Sequence, residues 1–106
     1  TISEFQGIQW MLVDMANEVD AAWLMAYRAA RLADSGQRFT KEVAQAKLFA
    51  ANAAMDVTRK ALQIHGGYGY MKDLPLERYY RDAKILEIYE GTSEVQRLVI
   101  SRALLT

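Results

Sequence analysis

The chain has no cysteine, a single proline, a single histidine and no surplus of either charge. Without cysteine there is neither a disulfide framework nor a thiolate metal site, and the redox compartment is unconstrained. With His65 as the one imidazole, a metal site would rest on carboxylates at no recognisable ligand spacing, so no metal-binding residue is assigned. Thirteen basic residues balance thirteen acidic ones, and no basic run exceeds two residues. That balance disfavours nucleic acid and anionic membrane surfaces as partners. The six glycines are scattered rather than set out as a phosphate-cradling loop. Apolar runs are a few residues long, far short of the roughly 20 needed to cross a bilayer, so a soluble chain without membrane spans is expected. No signal-peptide pattern opens it, although Thr1 is not an initiator and the true start can lie upstream.

What is present is helical patterning. At 106 residues the chain is long enough for one domain and one core. Ser3 followed by Gln6 reads as a capping box opening a helix that runs to about residue 34, where Gly36 stops it. Along it Ile8, Leu12, Met15, Val19, Ala22, Ala26, Ala29 and Ala33 alternate in steps of four and three, the seam of a helix packed lengthwise on another. Thr40 reads as the N-cap of a second helix continuing to about His65, with small apolar positions from Val43 to Ile64. Two helices of this length joined by a short connection predict an αα-hairpin that needs further helices to bury its other faces. The glycine-rich break at 65–75 ends at Pro75 and is expected to be loop. A short helix is expected from Leu76 to about Lys84, and a last one from about Glu94, with Val95, Leu98, Val99, Ala103 and Leu104 on its apolar face. The expected fold is all-α, an antiparallel helical bundle.

Several residues invite a functional reading. Ser93 with Gln96 reads as a second capping box, which puts Glu90 and Gly91 in the turn before the last helix. Such turns can carry chemistry on a rigid scaffold, but by spacing alone Glu90 is an ordinary exposed acid. His65, before a double glycine at a helix end, suits hydrogen bonding to unpaired helical carbonyls better than catalysis. Trp10 and Trp23 fit either a core or a subunit contact. Arg78, Arg81, Asp82 and Lys84 read as a solvated face, with an Asp82 contact to the following turn as the sharper alternative.

Three motifs stand in order: Gln63-Ile64-His65-Gly66-Gly67-Tyr68-Gly69, then Arg81-Asp82-Ala83-Lys84-Ile85, then Ile88-Tyr89-Glu90-Gly91-Thr92-Ser93-Glu94-Val95-Gln96-Arg97. Together they make the whole chain resemble the C-terminal helical domain of the acyl-CoA dehydrogenases, in the short-chain, medium-chain or glutaryl-type branch. The resemblance implies that residues 1–106 are one domain, a piece of a larger flavoenzyme with an N-terminal helical domain and a middle β domain. It further implies FAD as cofactor, an acyl-CoA thioester oxidised at Cα–Cβ, electron-transfer flavoprotein as acceptor, and a homo-oligomer, usually a tetramer.

On the same basis Glu90 matches the base that removes the α-proton, and the backbone N–H at its position hydrogen-bonds the thioester oxygen. An ordinary glutamate, with a pKa of about 4.3, is too weak for that task unless a closed apolar site excludes water. Tyr89 and Gly91 would line the substrate site. Gln63, Gly66 and Gly67 would approach the FAD of a neighbouring subunit, and Thr92 the FAD of its own. Glu94 stands where some relatives carry a glutamine that touches the cofactor. The resemblance puts the protein in the cytoplasm if bacterial and in the mitochondrial matrix if eukaryotic. A non-catalytic helical assembly module and a related acyl-CoA oxidase are the alternative readings.

Overall fold

A computed structural model describes residues 1–106 throughout. The fold is all-α: a 3-10 turn at Ile2–Glu4, α1 (Gln6–Asp34), α2 (Thr40–Ile64), α3 (Gly67–Tyr70), α4 (Leu76–Ala83), a second 3-10 turn at Lys84–Glu87, and α5 (Ser93–Leu105). With 29 and 25 residues, α1 and α2 are each more than twice the usual length of about 11 to 12. No helix is long and apolar enough to cross a membrane.

The hairpin is antiparallel, because early α1 meets late α2 and late α1 meets early α2. Lys60 Nζ lies 3.8 Å from Glu18, while Arg28 lies 3.6 Å from Glu42 and donates to Gln45 Oε1 at 3.2 Å. The reversal between them is a Schellman motif: Gly36 has φ +75°, its N–H reaches Ala33 O at 3.1 Å, and the Gln37 N–H reaches Leu32 O at 3.0 Å. α2 is the central element, packed against α1, α3, α4, α5 and the second 3-10 turn. Its buried residues are Ala44, Ala46, Ala51 and Ala53, so neighbours approach it closely on several sides.

The caps differ from those the sequence suggested. α1 opens at Phe5 rather than Ser3, and Gln6 closes no capping box. The preceding 3-10 turn takes up Ser3, whose carbonyl accepts from Gln9 Nε2 at 3.0 Å, while the Thr1 ammonium binds Glu4 at 2.7 Å. α2 has Phe39 at its N-cap and Thr40 already inside the helix, with no side-chain cap. α5 is capped one residue earlier than expected: Thr92 Oγ1 accepts from the Val95 N–H at 3.2 Å, and Ser93 is buried as the first helical residue. Gln96 does reach back, but to the Gly91 carbonyl at 3.4 Å.

The packed strip of α1 keeps Ile8, Met15, Ala22, Ala29 and Ala33 of the expected seam but departs from it at the other positions. Met11, Glu18, Ala21, Met25 and Leu32 complete the less exposed side, whereas Leu12, Val19 and Ala26 are exposed. Both sets of positions have helical spacing, and the packed one includes an acid at position 18. Glu18 is tolerated there by Lys60 and Asp56 on α2, which are 2.7 Å apart. On α5 the expected Val99 is half-buried, but Val95, Leu98, Ala103 and Leu104 are exposed and the packed side runs through Ser93, Gln96, Val99 and Ile100. The break at 65–75 holds a short helix as well: α3 brings Gly69 so near the Leu62 carbonyl that a Cβ would collide with it.

Candidate active-site turn

The stretch between the second 3-10 turn and α5 folds into a tight reversal. The 3-10 turn closes with the Ile88 and Tyr89 N–H groups both on Ile85 O at 3.0 Å, and the Thr92 cap then launches α5. Between them lie Glu90 with φ +52° and Gly91 with φ +96°. Glu90 is the one non-glycine residue with positive φ. Left-handed backbone at a residue with a Cβ costs of order 1–3 kcal/mol and persists only where the surroundings over-determine it. No acceptor within the chain takes the Glu90 N–H, and no donor or cation of the chain binds its exposed carboxylate. The turn therefore presents an acid and an unpaired backbone donor side by side.

The fixing residue was missed by the sequence reading. Lys47, half-buried on α2, donates to the carbonyls of Leu86 at 2.7 Å, Tyr89 at 3.0 Å and Gly91 at 2.7 Å. Its Nζ also lies 6.0 Å from the Tyr89 ring centroid, within cation–π range. A lone lysine among Ala44, Ala46, Ala50 and Ala51 is the signal that could have marked it.

The predicted residues fall into two places. Tyr89, Glu90, Gly91, Thr92 and Glu94 share the turn and the first turn of α5, with Tyr89 and Glu94 exposed and Thr92 half-buried as cap. Gln63 lies in the last turn of α2, sixteen residues beyond Lys47 and so about 24 Å along the helix axis, and Gly66 and Gly67 follow just past the helix end. Gly66 has φ +59°, and neither it nor Gly67 has anything within 4 Å of where a Cβ would stand. His65 Nδ1 is 2.8 Å from Ala61 O, so the imidazole serves the helix end as expected. Trp10 and Trp23 are exposed, so neither packs in the core of this chain. Arg78, Arg81, Asp82 and Lys84 are exposed too, Lys84 pairs with Glu87 at 2.7 Å, and Asp82 makes no contact that pins the turn.

The remaining electrostatic cluster sits in the α1–α2 seam. Burial raises the Glu18 carboxyl above its ordinary value, helped by the neighbouring Asp56 carboxylate. The Lys60 ammonium, with a hydrogen bond from Arg59 beside it, holds Asp56 well below its ordinary value. This cluster belongs to helix packing and lies away from the turn.

Comparison with known proteins identifies the family. The family model described as acyl-CoA dehydrogenase, C-terminal domain, matches residues 1–105. A short-chain specific acyl-CoA dehydrogenase of Clostridium acetobutylicum is 57% identical over 101 residues, covering 95% of the chain and 27% of that relative. An acryloyl-CoA reductase (NADH) of Anaerotignum propionicum is 60% identical over 101 residues, covering 95% of the chain and 26% of that relative. Butyryl-CoA dehydrogenase from Megasphaera elsdenii superposes with a TM-score of 0.97 at 47% identity, over 99% of this chain and 27% of that one. The chain thus spans about a quarter of the length of the curated relatives it matches. A family match running almost end to end, on relatives more than half identical, means that the chain belongs to the acyl-CoA dehydrogenase family, where it corresponds to the C-terminal domain.

Proposed function

We propose that residues 1–106 form one domain of a full-length FAD-dependent acyl-CoA dehydrogenase and that Glu90 is the base that removes the α-proton of an acyl-CoA thioester. The observation that carries this reading is the turn itself: an acid with no partner and an unpaired backbone N–H on one residue, held in a left-handed conformation. The N–H of Glu90 donates to the thioester oxygen, where negative charge develops as the α-proton leaves. The carboxylate takes that proton. A preorganised donor of this kind is worth about 3 to 4 kcal/mol in the transition state. Tyr89 and Gly91 flank the reacting atoms, and the exposed turn needs a cover from outside this chain to exclude water.

The residues fit a flavin dinucleotide. Gly66 and Gly67 offer open backbone, with nothing near where a side chain would stand, and Gln63 adds an exposed amide beside them. Gln63 stands about 24 Å along α2 from Lys47, the residue that binds the Glu90 turn, and placement at opposite stretches of one long helix suits contact with two different cofactors, one in each of two subunits. Thr92 and Glu94 would face the cofactor of their own subunit. FAD, when bound, accepts the hydride equivalent from Cβ. The likeness to a short-chain specific dehydrogenase and to butyryl-CoA dehydrogenase supports a short acyl chain, while electron-transfer flavoprotein as acceptor and a homo-oligomeric assembly are what the family resemblance implies.

One observation favours a second reading, catalysis in the reverse direction, because a reductase is among the most similar relatives at 60% identity. Glu90 would then deliver the proton to Cα. A single experiment covers both. In the full-length protein, Glu90→Gln is expected to lower turnover by about 10²–10⁴-fold while FAD stays bound. Near-normal turnover of that variant with both butyryl-CoA and its unsaturated counterpart would remove Glu90 from the chemistry.

A further inference from the structure

We propose that Lys47 is a positioning residue that orients and polarises the backbone N–H of Glu90. The proposal rests on the reading of that N–H as the donor to the thioester oxygen. An ammonium has three N–H donors, and here all three are used, on Leu86 O, Tyr89 O and Gly91 O. Two of these carbonyls bracket Glu90 in sequence. The third anchors the end of the 3-10 turn that leads to it.

The Tyr89 carbonyl is the telling one. It belongs to the same peptide group as the Glu90 N–H, and in a planar trans peptide the two point in opposite directions. Fixing the carbonyl on Lys47 therefore fixes the direction of the N–H, which points away from α2. A charged donor on the carbonyl also draws electron density from the amide nitrogen. The N–H on the other side becomes a stronger donor, the same mutual polarisation that strengthens chains of hydrogen bonds.

The conformation needs such an anchor. Glu90 holds φ +52° although its own carboxylate binds nothing in the chain. Besides Lys47, the turn is tied by the Tyr89 N–H on Ile85 O at 3.0 Å and by Gln96 on Gly91 O at 3.4 Å. Neither touches the Tyr89–Glu90 peptide carbonyl. The lysine springs from a 25-residue helix that is the centre of the fold, so the turn is referenced to the most rigid element available. Arginine would not replace it, because a flat guanidinium cannot converge three donors on carbonyls grouped around one point.

The test uses the full-length protein loaded with FAD and a bound acyl-CoA analogue carrying a ¹³C-labelled thioester carbonyl. Infrared difference spectra report how far the carbonyl band moves to lower frequency on binding. In the unaltered protein the band is expected to move, and in Lys47→Met most of that movement is expected to be lost. The single-turnover rate constant for flavin reduction should fall about tenfold or more. A purely structural role would reduce the active fraction but leave both the band and the rate constant of the surviving fraction unchanged.

Lys47→Gln, which keeps an uncharged donor, should fall between the two and serves if the methionine variant does not fold. Glu90→Gln keeps the backbone N–H and should retain the full band movement while losing turnover. A full band movement and a normal rate constant in the Lys47 variants would overturn the role of Lys47 and leave Glu90 as base intact. Retained turnover in Glu90→Gln would instead overturn the base, whatever the Lys47 variants do.

Discussion

Glu90 and Gly91 both hold positive φ, but substitution should affect them in opposite ways. Glu90 carries a Cβ in a region that disfavours one, so Glu90→Gly relieves strain of order 1–3 kcal/mol. The added freedom of glycine in the unfolded chain offsets about 0.4–1 kcal/mol of that gain. The thermal midpoint of Glu90→Gly should hold or rise even as activity disappears, as expected where a strained residue is kept for function. Gly91→Ala faces φ +96° and the Gln96 side-chain nitrogen, 2.5 Å from where its Cβ would be placed. That variant should lose about 1–3 kcal/mol, and calorimetry of the two side by side checks both signs. The turn was legible because its residues are contiguous: the acid, the glycine and the cap stand in one motif. Lys47 was not. Its acceptors are main-chain carbonyls 39 to 44 residues away, which any sequence could supply, so no side-chain pattern reports the contact.

The same distinction governs the helices. Their existence and length follow from apolar spacing and from Gly36 and Gly66, both of which the structure places at helix ends with positive φ. The face that packs does not follow, because α1 is apolar around more than half its circumference and spacing alone admits two strips. The strip in contact with α2 contains Glu18, whose Oε2 is buried without a hydrogen-bond partner. This acid yields a pH prediction. A carboxyl whose folded-state pKa is raised above its ordinary 4.5 adds no penalty below that value, where it is protonated folded or unfolded. As pH rises through the folded value, ionisation within the seam takes stability away. Glu18→Gln should therefore raise the denaturation midpoint at pH 7, and the gap should close below about pH 4.5. Asp56 works with the opposite sign: Lys60 holds its pKa low, so it contributes stability above its ordinary 3.8 and loses it in stronger acid. Asp56→Asn should accordingly weaken the seam at pH 7, and paired denaturant titrations at pH 7 and pH 4 separate the two residues. A midpoint for Glu18→Gln that stays below the parent at pH 7 would show that its 3.8 Å attraction to Lys60 outweighs its burial.

The chain buries very little by itself. Eight of 106 residues are buried, and every one is alanine, glycine or serine. The radius of gyration is 16.4 Å, against about 13 Å for a compact domain of 100 residues, and the long axis reaches 50 Å. Meanwhile Trp10, Trp23, Leu24 and Tyr27 stand exposed along the outer side of α1, with the Trp23 and Tyr27 rings stacked 5.7 Å apart. Exposed aromatic surface on this scale marks faces that pack against something else. A sequence pattern shows that such a face is apolar but not whether its own chain covers it, which is why both tryptophans stayed ambiguous until the fold was known. If these faces are covered in the full-length protein, residues 1–106 expressed alone should bind a hydrophobic dye and associate with rising concentration in sedimentation. They should also lack acyl-CoA turnover, because the cover over Glu90 is missing. Placing lysine at both Trp23 and Leu24 should suppress association of the isolated chain, yet lower the thermal midpoint of the full-length protein, where the same side chains would be buried. A monomeric isolated chain that binds no dye would mean that the alanine core suffices and that the outer side of α1 is a true solvent surface.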